Sequence, residues 1–342
     1  MSSSINRDYL EFQSNRIEAV LASHRVHARV QGGSVTPRSI RFNLTPALGT
    51  RVASVRKLDE ELALALGAAD VRISREGEGL AVEMPRPDAS PIHLLPLLDS
   101  LPAIPPLTAC LGLSQDGRPL LVRLPSPDVA HVFVAGTTGS GKTELMRTMA
   151  LSLALTNRQA ALQLALIDPK GRGLSPLAGL PHLLAPVAAD LNSARALLER
   201  LVQAMERRDA AGVTFPRVVI FVDELVDLLM QGGREIQDSL TRLAQRGREA
   251  GMHLVAGAQK PSASAVGSLL KANFPVRLVA KVASADDARV AAGVAGSGAE
   301  KLTGRGDFVA VSSGQVTRFQ AAYVPVRDWP FAFRRLTANG ER

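Results

Sequence analysis

The chain carries Gly136-Thr137-Thr138-Gly139-Ser140-Gly141-Lys142-Thr143, and this stretch decides the fold. The apolar run His131-Val132-Phe133-Val134-Ala135 stands directly before it, and a helical pattern over residues 144–155 stands directly after it. A strand, a glycine-rich loop and a helix in that order form a phosphate-binding loop. The glycines let consecutive backbone N–H groups surround a phosphate, and the helix N-terminus adds partial positive charge. We therefore predict that residues 136–143 bind the phosphates of a nucleotide.

Two side chains at the end of the loop make this prediction specific. Lys142 would reach the β- and γ-phosphates, and the hydroxyl of Thr143 would join the ligands of a magnesium ion. A glycine-rich turn alone would be weak evidence, but here the lysine, the threonine and the flanking elements are all present.

Composition narrows the class of protein and of partner. The chain has 342 residues, of which 46% are hydrophobic, so it is globular and long enough for two domains. Aromatic residues make up only 4%, which argues against extensive stacking on single-stranded bases. The net charge of +8 favours a polyanionic partner, and charge alone leaves nucleic acid and an anionic membrane surface open.

The sequence gives no sign of disulfides or of membrane insertion. Cys110 is the single cysteine, which excludes an intrachain disulfide and a multi-cysteine metal site. No apolar run reaches the ~20 residues that a membrane-spanning helix needs, and residues 1–16 are too polar for a signal peptide. We therefore expect a protein of the cytoplasm with no intrinsic membrane segment.

Pattern changes along the chain suggest four regions. Residues 8–24 have helical periodicity, and the next residues alternate as strands before and after Gly32-Gly33. A helical stretch over 52–66 and two more short strands complete a β-β-α-β-β unit, and the proline-rich segment 91–106 resembles a connector. The predicted regions are an N-terminal helix (1–24), a small α+β domain (25–105), a larger α/β domain (106–326) and a C-terminal tail (327–342).

In the larger region, continuous apolar strands alternate with helical patterns. A hairpin with its turn at Asp116-Gly117 would open the domain. Strands that are apolar on both sides and separated by helices predict a parallel sheet flanked by helices. The predicted strands are Val132–Ala135, Leu162–Ile167, Val218–Val222, Leu254–Ala256 and Val276–Val282.

The third of these strands delivers two carboxylates. Asp223 and Glu224 follow the run Val218–Val222, at the edge of the sheet where ligands bind in such folds. Asp223 would hold magnesium through water, and Glu224 would polarise the water that attacks the γ-phosphate. The alternative is a surface pair that caps the next helix.

Gln259 follows the fourth strand. In the expected strand order its amide lies beside the γ-phosphate, where it could respond to hydrolysis. A surface glutamine in a loop is the alternative.

Several segments together resemble the motor portion of the FtsK/SpoIIIE DNA translocases. The resemblance covers roughly residues 25–326, and its segments occur in order at compatible spacing. Beside residues 131–143 they include Ile167-Asp168-Pro169-Lys170, Gly179–Val187, Met205-Glu206-Arg207-Arg208, Ala244–Leu254, Gln259-Lys260-Pro261, Lys271–Pro275 and Gly304-Arg305-Gly306-Asp307. In the small domain they include Leu48-Gly49, Arg56-Lys57-Leu58, Val71-Arg72-Ile73 and Val82-Glu83-Met84-Pro85.

The resemblance implies a RecA-like ATPase that forms a hexameric ring and pulls double-stranded DNA through it. Its active site would lie between subunits, where Arg248 would stabilise the transition state of the neighbouring subunit, with Arg242 as the second choice. Pore loops would contact DNA phosphates through Lys260, Lys271 and Arg289. The implied cofactors are ATP and Mg²⁺.

Some residues depart from the family pattern. Ala258 stands where relatives commonly have threonine, which predicts the loss of a small contact near the γ-phosphate. Ala285 stands where relatives often have a basic residue, which predicts a weaker DNA contact in that loop. From the sequence we expect neither the N-terminal membrane region nor the C-terminal winged-helix domain of the relatives that act in chromosome segregation. Asp168 and Lys170 receive no role. His24 and His27 lack metal-ligand partners at workable spacing, and His182 is interpreted as a loop histidine with satisfied hydrogen bonds and not as a ligand. A nucleotide-switched ATPase that recruits proteins without moving DNA is the rival function.

Overall fold

The computed structural model describes residues 5–36, 39–77, 79–88, 90–260, 269 and 272–340. The chain divides into two compact units. The first comprises Met1–Pro91 with the hairpin turn Gln115–Gly117, and the second comprises Ile92–Ser114 with Arg118–Arg342.

The first unit is a four-stranded antiparallel sheet with helices. The sheet order is β1-β2-β4-β3, and Ile17 and Leu21 of the first helix are fully buried against its core. The N-terminal helix is thus part of this unit. Its elements are α1 (Arg7–Ser23), β1 (Ala28–Val35), β2 (Ser39–Pro46), α2 (Val52–Arg56), α3 (Asp59–Leu66), β3 (Arg72–Glu76) and β4 (Gly79–Pro85).

Gly32-Gly33 is not the turn between the first two strands. Strand β1 runs through both glycines, and its register with β2 shifts between Val30 and Gly33. A Cβ at Gly33 would lie 2.1 Å from the carbonyl oxygen of Arg41, so the irregular pairing requires glycine there. The pair of glycines therefore marks a bulge in a longer strand.

The second unit contains the phosphate-binding loop and a sheet of nine described strands. The elements before that loop are α4 (Leu94–Ser100), β5 (Thr108–Ser114), β6 (Pro119–Arg123) and β7 (Val132–Ala135). The elements after it are α5 (Lys142–Thr156), β8 (Leu162–Ile167), α6 (Leu191–Ala211), β9 (Arg217–Val222), α7 (Leu225–Gln231), α8 (Gly233–Arg246), β10 (Met252–Ala258), β11 (Val276–Ala280), α9 (Ala285–Ala292), β12 (Asp307–Ser312), β13 (Gln315–Ala321) and α10 (Trp329–Gly340).

The sheet order is β6-β5-β13-β12-β11-β7-β10-β9-β8. Strands β11, β7, β10, β9 and β8 pair in parallel, as predicted, whereas β12, β13, β5 and β6 pair antiparallel. The sheet is therefore mixed and not purely parallel, because two hairpins extend its β11 edge. The α/β fold with helices and a smaller α+β unit before it is confirmed.

Helices cover both faces of the sheet. Within β7, Val132 and Val134 belong to one apolar core, and Phe133 and Ala135 belong to the other. This alternation explains why the strand is apolar at every position. Helix α5 lies almost wholly inside, with eleven of its residues buried.

The two segments predicted as a connector and as a C-terminal tail contribute to the core. The proline-rich segment contains α4, whose Leu94, Leu95 and Leu97 are buried. As a result, the division between the units falls at residue 91 and not at residue 105. The C-terminal tail contains α10, whose Ala332 and Leu336 are buried in the same core. Both helices are short, and tertiary packing stabilises them.

Candidate phosphate-binding site

The phosphate-binding loop lies between the central strand β7 and α5. Gly139 and Gly141 have φ values of 77° and 107°, which side-chain-bearing residues rarely adopt, and Gly141 is the N-cap of α5. At the start of the loop, the N–H of Gly136 donates to the carbonyl of Ala258, and the N–H of Thr137 donates to that of Lys281. The loop is thereby fixed to the strands on both sides of β7.

Lys142 makes two buried ion pairs. Its ammonium bonds to Oδ1 of Asp223 and lies 2.8 Å from Oε1 of Glu224. The three residues are only 4–5% exposed. The structure therefore brings together the loop lysine and both carboxylates that the sequence singled out.

The two carboxylates occupy the carboxyl end of β9. Asp223 is tied to the neighbouring strand, because its N–H donates to the carbonyl of Ile167. Glu224 has a φ of 58° and directly precedes α7, a left-handed conformation that costs energy for a residue with a side chain. This turn directs the chain from strand to helix while Glu224 stays buried beside Lys142.

Oxygen atoms suited to magnesium lie next to the loop. The hydroxyl of Thr143 is 3.5 Å from Oδ2 of Asp223. Gly173 leaves room on the other side, because a Cβ there would lie only 2.3 Å from the same oxygen. Hydroxyl and carboxylate oxygens fit Mg²⁺, which uses few protein ligands in phosphate sites. The described residues contain no group of three or more His, Cys, Asp or Glu residues placed to hold a metal ion.

Gln259 lies against the phosphate-binding loop. Strand β10 pairs with β7 up to Ala258 and Ala135, so Gln259 emerges beside residue 136. The hydroxyl of Thr138 donates to Oε1 of Gln259 at 3.0 Å. Phosphate loop and Gln259 are thus in direct contact, as the predicted role requires.

The segment after β8 also belongs to this site, and sequence reasoning had given it no role. Arg147 of α5 fixes the backbone of this segment. Its Nε donates to the carbonyl of Gly173 at 2.5 Å, and one of its terminal nitrogens donates to the carbonyl of Arg172 at 3.2 Å. Asp168 is buried and accepts from the N–H of Leu174. The Gly-Arg-Gly pattern at residues 171–173 was the available signal.

Lys170 in this segment lies close to three acidic side chains. Its ammonium lies 2.7 Å from Oδ2 of Asp227, which is on α7 one turn beyond Glu224. The hydrogen bond to Asp227 raises the pKa of Lys170, and the nearby charges of Glu224 and Asp223 act in the same direction. Lys170 therefore stays protonated beside the carboxylate cluster.

Arg248 lies at the opposite edge of the sheet. It is exposed in the turn that precedes β10, whereas the phosphate-binding loop is at the carboxyl end of the strands. The seven residues of β10 separate these two edges by about 20 Å. Arg248 therefore does not reach the site of its own chain. A terminal nitrogen of Arg242 pairs with Glu206 of α6.

Two buried histidines lie near Arg248. His131 Nδ1 accepts from the N–H of Leu254 at 2.9 Å, and its Nε2 lies 2.9 Å from the carbonyl of Ala244. His253 Nδ1 lies 2.8 Å from the carbonyl of Ala130. Burial is the main reason why the pKa of each histidine falls to about 4, and the charge of Arg248 contributes to both shifts. Both rings are neutral near pH 7.

The structure describes two of the three residues predicted to contact DNA. Lys260 is exposed directly after Gln259, and Arg289 is exposed on α9, where it lies 3.5 Å from Asp286. Lys271 lies outside the described residues. Their role in DNA contact stays a prediction.

The fold and this site define a P-loop NTPase. A model of the FtsK/SpoIIIE family matches residues 103–213 and 209–263, and a model of the FtsK alpha domain matches residues 1–86. The chain therefore belongs to the FtsK/SpoIIIE family, which confirms the resemblance seen in the sequence.

Curated relatives match nearly the whole chain. DNA translocase FtsK of Sporosarcina ureae is 33% identical over 93% of this chain and 44% of its own length. DNA translocase SpoIIIE of Bacillus subtilis strain 168 is 32% identical over 91% of this chain and 43% of its own length. The chain thus spans less than half the length of these relatives.

Solved structures support the fold. The conjugation coupling protein TcpA of pCW3, a monomer form with ATPγS, superposes with a TM-score of 0.62 at 16% identity, over 96% of this chain and 99% of that one. The cytoplasmic domain of the type VII secretion ATPase EccC of Thermomonospora curvata has the same TM-score at 25% identity, over 72% of this chain and 34% of that one. Of the helices that the structure describes, none combines the length and apolar character needed to cross a bilayer.

Proposed function

We propose that this chain is an ATP-driven motor that moves along double-stranded DNA. The observation that carries the proposal is the buried cluster of Lys142, Asp223 and Glu224 under the phosphate-binding loop. Curated relatives named DNA translocases, about one-third identical over more than nine-tenths of the chain, support the coupling to DNA.

Each site residue would have a separate role in ATP hydrolysis. Residues 136–143 would hold the phosphates, with Lys142 at the β- and γ-phosphates. Thr143 and Asp223 would hold Mg²⁺, which neutralises charge on the phosphates. Glu224 would polarise the attacking water, and Gln259, bonded to Thr138, would report loss of the γ-phosphate to the loop.

Assembly would complete the site. Because Arg248 lies about 20 Å from the phosphate loop of its own chain, it would serve a neighbouring subunit. Such an arrangement supports a ring of identical subunits, and the family resemblance implies six.

DNA contact would be electrostatic. Residues 92–342 contain 28 basic and 21 acidic residues, whereas residues 1–91 contain 12 and 11, so nearly all the net charge belongs to the second unit. Lys260, Lys271 and Arg289 would contact backbone phosphates, which suits a motor that must accept any sequence.

The decisive experiment compares ATP hydrolysis with and without linear duplex DNA. A motor is expected to hydrolyse ATP many times faster with DNA, and Glu224→Gln should abolish the stimulated rate while nucleotide still binds. The rival, an ATPase that recruits proteins, is expected to ignore DNA. A DNA-independent rate would therefore overturn the translocase proposal.

A further inference from the structure

A second loop lies in direct contact with the phosphate-binding loop. It comprises residues 303–307 and leads into β12, whose first residue is Asp307. The N–H of Gly306 donates to the carbonyl of Ser140 at 2.8 Å. A Cβ at Gly141 would lie 2.9 Å from the nitrogen of Gly306, so the two backbones touch. A bound nucleotide would thus lie beside residues 303–307.

Several hydrogen bonds hold this second loop in place. Asp307 is 5% exposed, and its carboxylate accepts from the N–H and the hydroxyl of Thr303 at 3.0 and 3.1 Å. Arg318 donates to both oxygens of the same carboxylate at 2.9 Å each. Gln320 Nε2 donates to the carbonyl of Arg305 at 3.2 Å. Residues 303–307 are therefore preorganised beside the phosphate site.

Arg305 is held in an unfavourable backbone conformation on this loop. Its φ is 52°, in the left-handed region that suits glycine, and its neighbours Gly304 and Gly306 also have positive φ values. Its side chain is exposed. An arginine kept where glycine would fit better indicates that its side chain has a use.

The strand order shows which end of a nucleotide Arg305 would meet. Glu224 and Gln259 follow β9 and β10, on one side of β7. Residues 303–307 lie on the other side, because β12 pairs antiparallel with β11 and begins at the same edge of the sheet. With the γ-phosphate at Lys142 and Glu224, the nucleoside would extend to the other side of β7, where residues 303–307 lie.

We propose that Arg305 contacts the nucleoside of the bound nucleotide, with its guanidinium against the purine and ribose. Guanidinium groups stack on aromatic rings and form several hydrogen bonds, so arginine suits this role. The proposal rests on nucleotide binding by this chain, and it assigns Arg305 to the subunit's own nucleotide, in contrast to Arg248.

The test uses Arg305→Gly, because glycine suits a φ of 52° and the variant should fold. Calorimetry with Mg²⁺ measures binding of ADP and of inorganic pyrophosphate, which lacks the nucleoside. We expect ADP to bind about tenfold more weakly, in line with loss of a favourable cation–π contact. Pyrophosphate affinity should stay within twofold of the wild type.

Two control variants separate the side chain from backbone and charge effects. Ser313→Gly replaces a residue with a φ of 49° in the turn between β12 and β13, at the edge of the sheet opposite the phosphate-binding loop. Arg327→Ala removes a cation that is 80% exposed elsewhere. Both should bind ADP as the wild type does.

Each result is decisive. Unchanged ADP affinity in Arg305→Gly would overturn the contact, and an equal loss for ADP and pyrophosphate would overturn its assignment to the nucleoside. Failure of the wild type to bind ADP would instead refute the proposed function.

Discussion

Lys142 and Glu224 form an ion pair of 2.8 Å in which the side chains are 4% and 7% exposed. The same ammonium also bonds to Asp223, whose side chain is 6% exposed. One buried cation is therefore shared by two buried carboxylates, and the cluster carries a net negative charge when both are ionised. This charge suits a site for a divalent cation.

Lys142→Ala should destabilise the protein as well as remove a phosphate contact. Removing one partner of a buried ion pair typically costs about 3–5 kcal/mol, because the other charge stays buried. Urea unfolding measures this loss. Adding Glu224→Gln should recover part of it. Lys170→Ala, at an ion pair whose lysine is 52% exposed, should cost less than about 1 kcal/mol. A stable Lys142→Ala variant would contradict this account.

Gly173→Ala should weaken magnesium binding. The added Cβ would lie 2.3 Å from Oδ2 of Asp223 and 3.3 Å from the methyl group of Thr143, so it would displace the carboxylate. We expect the Mg²⁺ concentration for half-maximal ADP binding to rise about tenfold, as it does when the support of a metal ligand is altered. The exposed neighbour change Ser175→Ala should leave that concentration unchanged. Equal Mg²⁺ dependence in both variants would argue against this site.

The free energy of unfolding should fall as the pH drops from about 6.5 to about 4. Burial lowers the pKa of His131 and of His253 to about 4, whereas an unfolded histidine titrates near 6.5. The unfolded chain therefore binds more protons in this window, which costs about 3 kcal/mol per histidine at its lower end.

Urea unfolding at pH 7, 5.5 and 4.5 checks the effect of the histidines. His253→Gln should show a shallower loss than the wild type, and the exposed His24→Gln should follow the wild type. Identical slopes for His253→Gln and the wild type would refute the role of His253.

Arg248→Ala should inhibit wild-type subunits when the two are mixed. If its guanidinium acts on a neighbouring site, each variant subunit disables the site of another, and activity falls faster than the wild-type fraction. The measurement is DNA-stimulated ATP hydrolysis across mixing ratios. Arg246→Ala, which removes an ion pair with Asp209 on the same surface, is the control and should leave activity near that of the wild type. Linear dilution by Arg248→Ala would mean that no site is shared.

Lys260→Ala combined with Lys271→Ala should weaken DNA binding and its dependence on salt. Each lost phosphate contact lowers the slope of log K against log salt concentration by about 0.9, so the slope should fall by about 2. Fluorescence anisotropy on a labelled duplex at several salt concentrations gives the slope. Lys301→Ala with Arg327→Ala removes two other exposed cations and should leave it unchanged. An unaltered slope in the first variant would remove these lysines from the DNA contact.

Local pattern predicted the centre of the second unit well. The run 132–135, the glycine loop and α5 follow from periodicity and glycine chemistry, which act over a few residues. The nearness of Asp223 and Glu224 to Lys142 followed from the rule that parallel strands present their carboxyl ends at one edge.

Long-range packing accounts for what the sequence left undetermined. The helices Leu94–Ser100 and Trp329–Gly340 are short, and contacts with distant residues stabilise them, so their local pattern was weak. Strands β12 and β13 pair antiparallel because of a hairpin, which apolar runs alone do not reveal. The contact of Gly306 with Ser140 joins residues 166 positions apart, and only the folded chain shows it.

The placement of Arg248 and the phosphate loop at opposite edges of the sheet limits how copies can associate. A two-fold dimer joins self-complementary surfaces, so it could pair the amino edge of one copy with the carboxyl edge of the other only if both edges lay in one interface. If the two edges instead belong to separate surfaces, the interface joins unlike faces, and successive copies either close a circle or extend as a filament. The closure angle, set by the surfaces between these two edges, would then determine the number of copies.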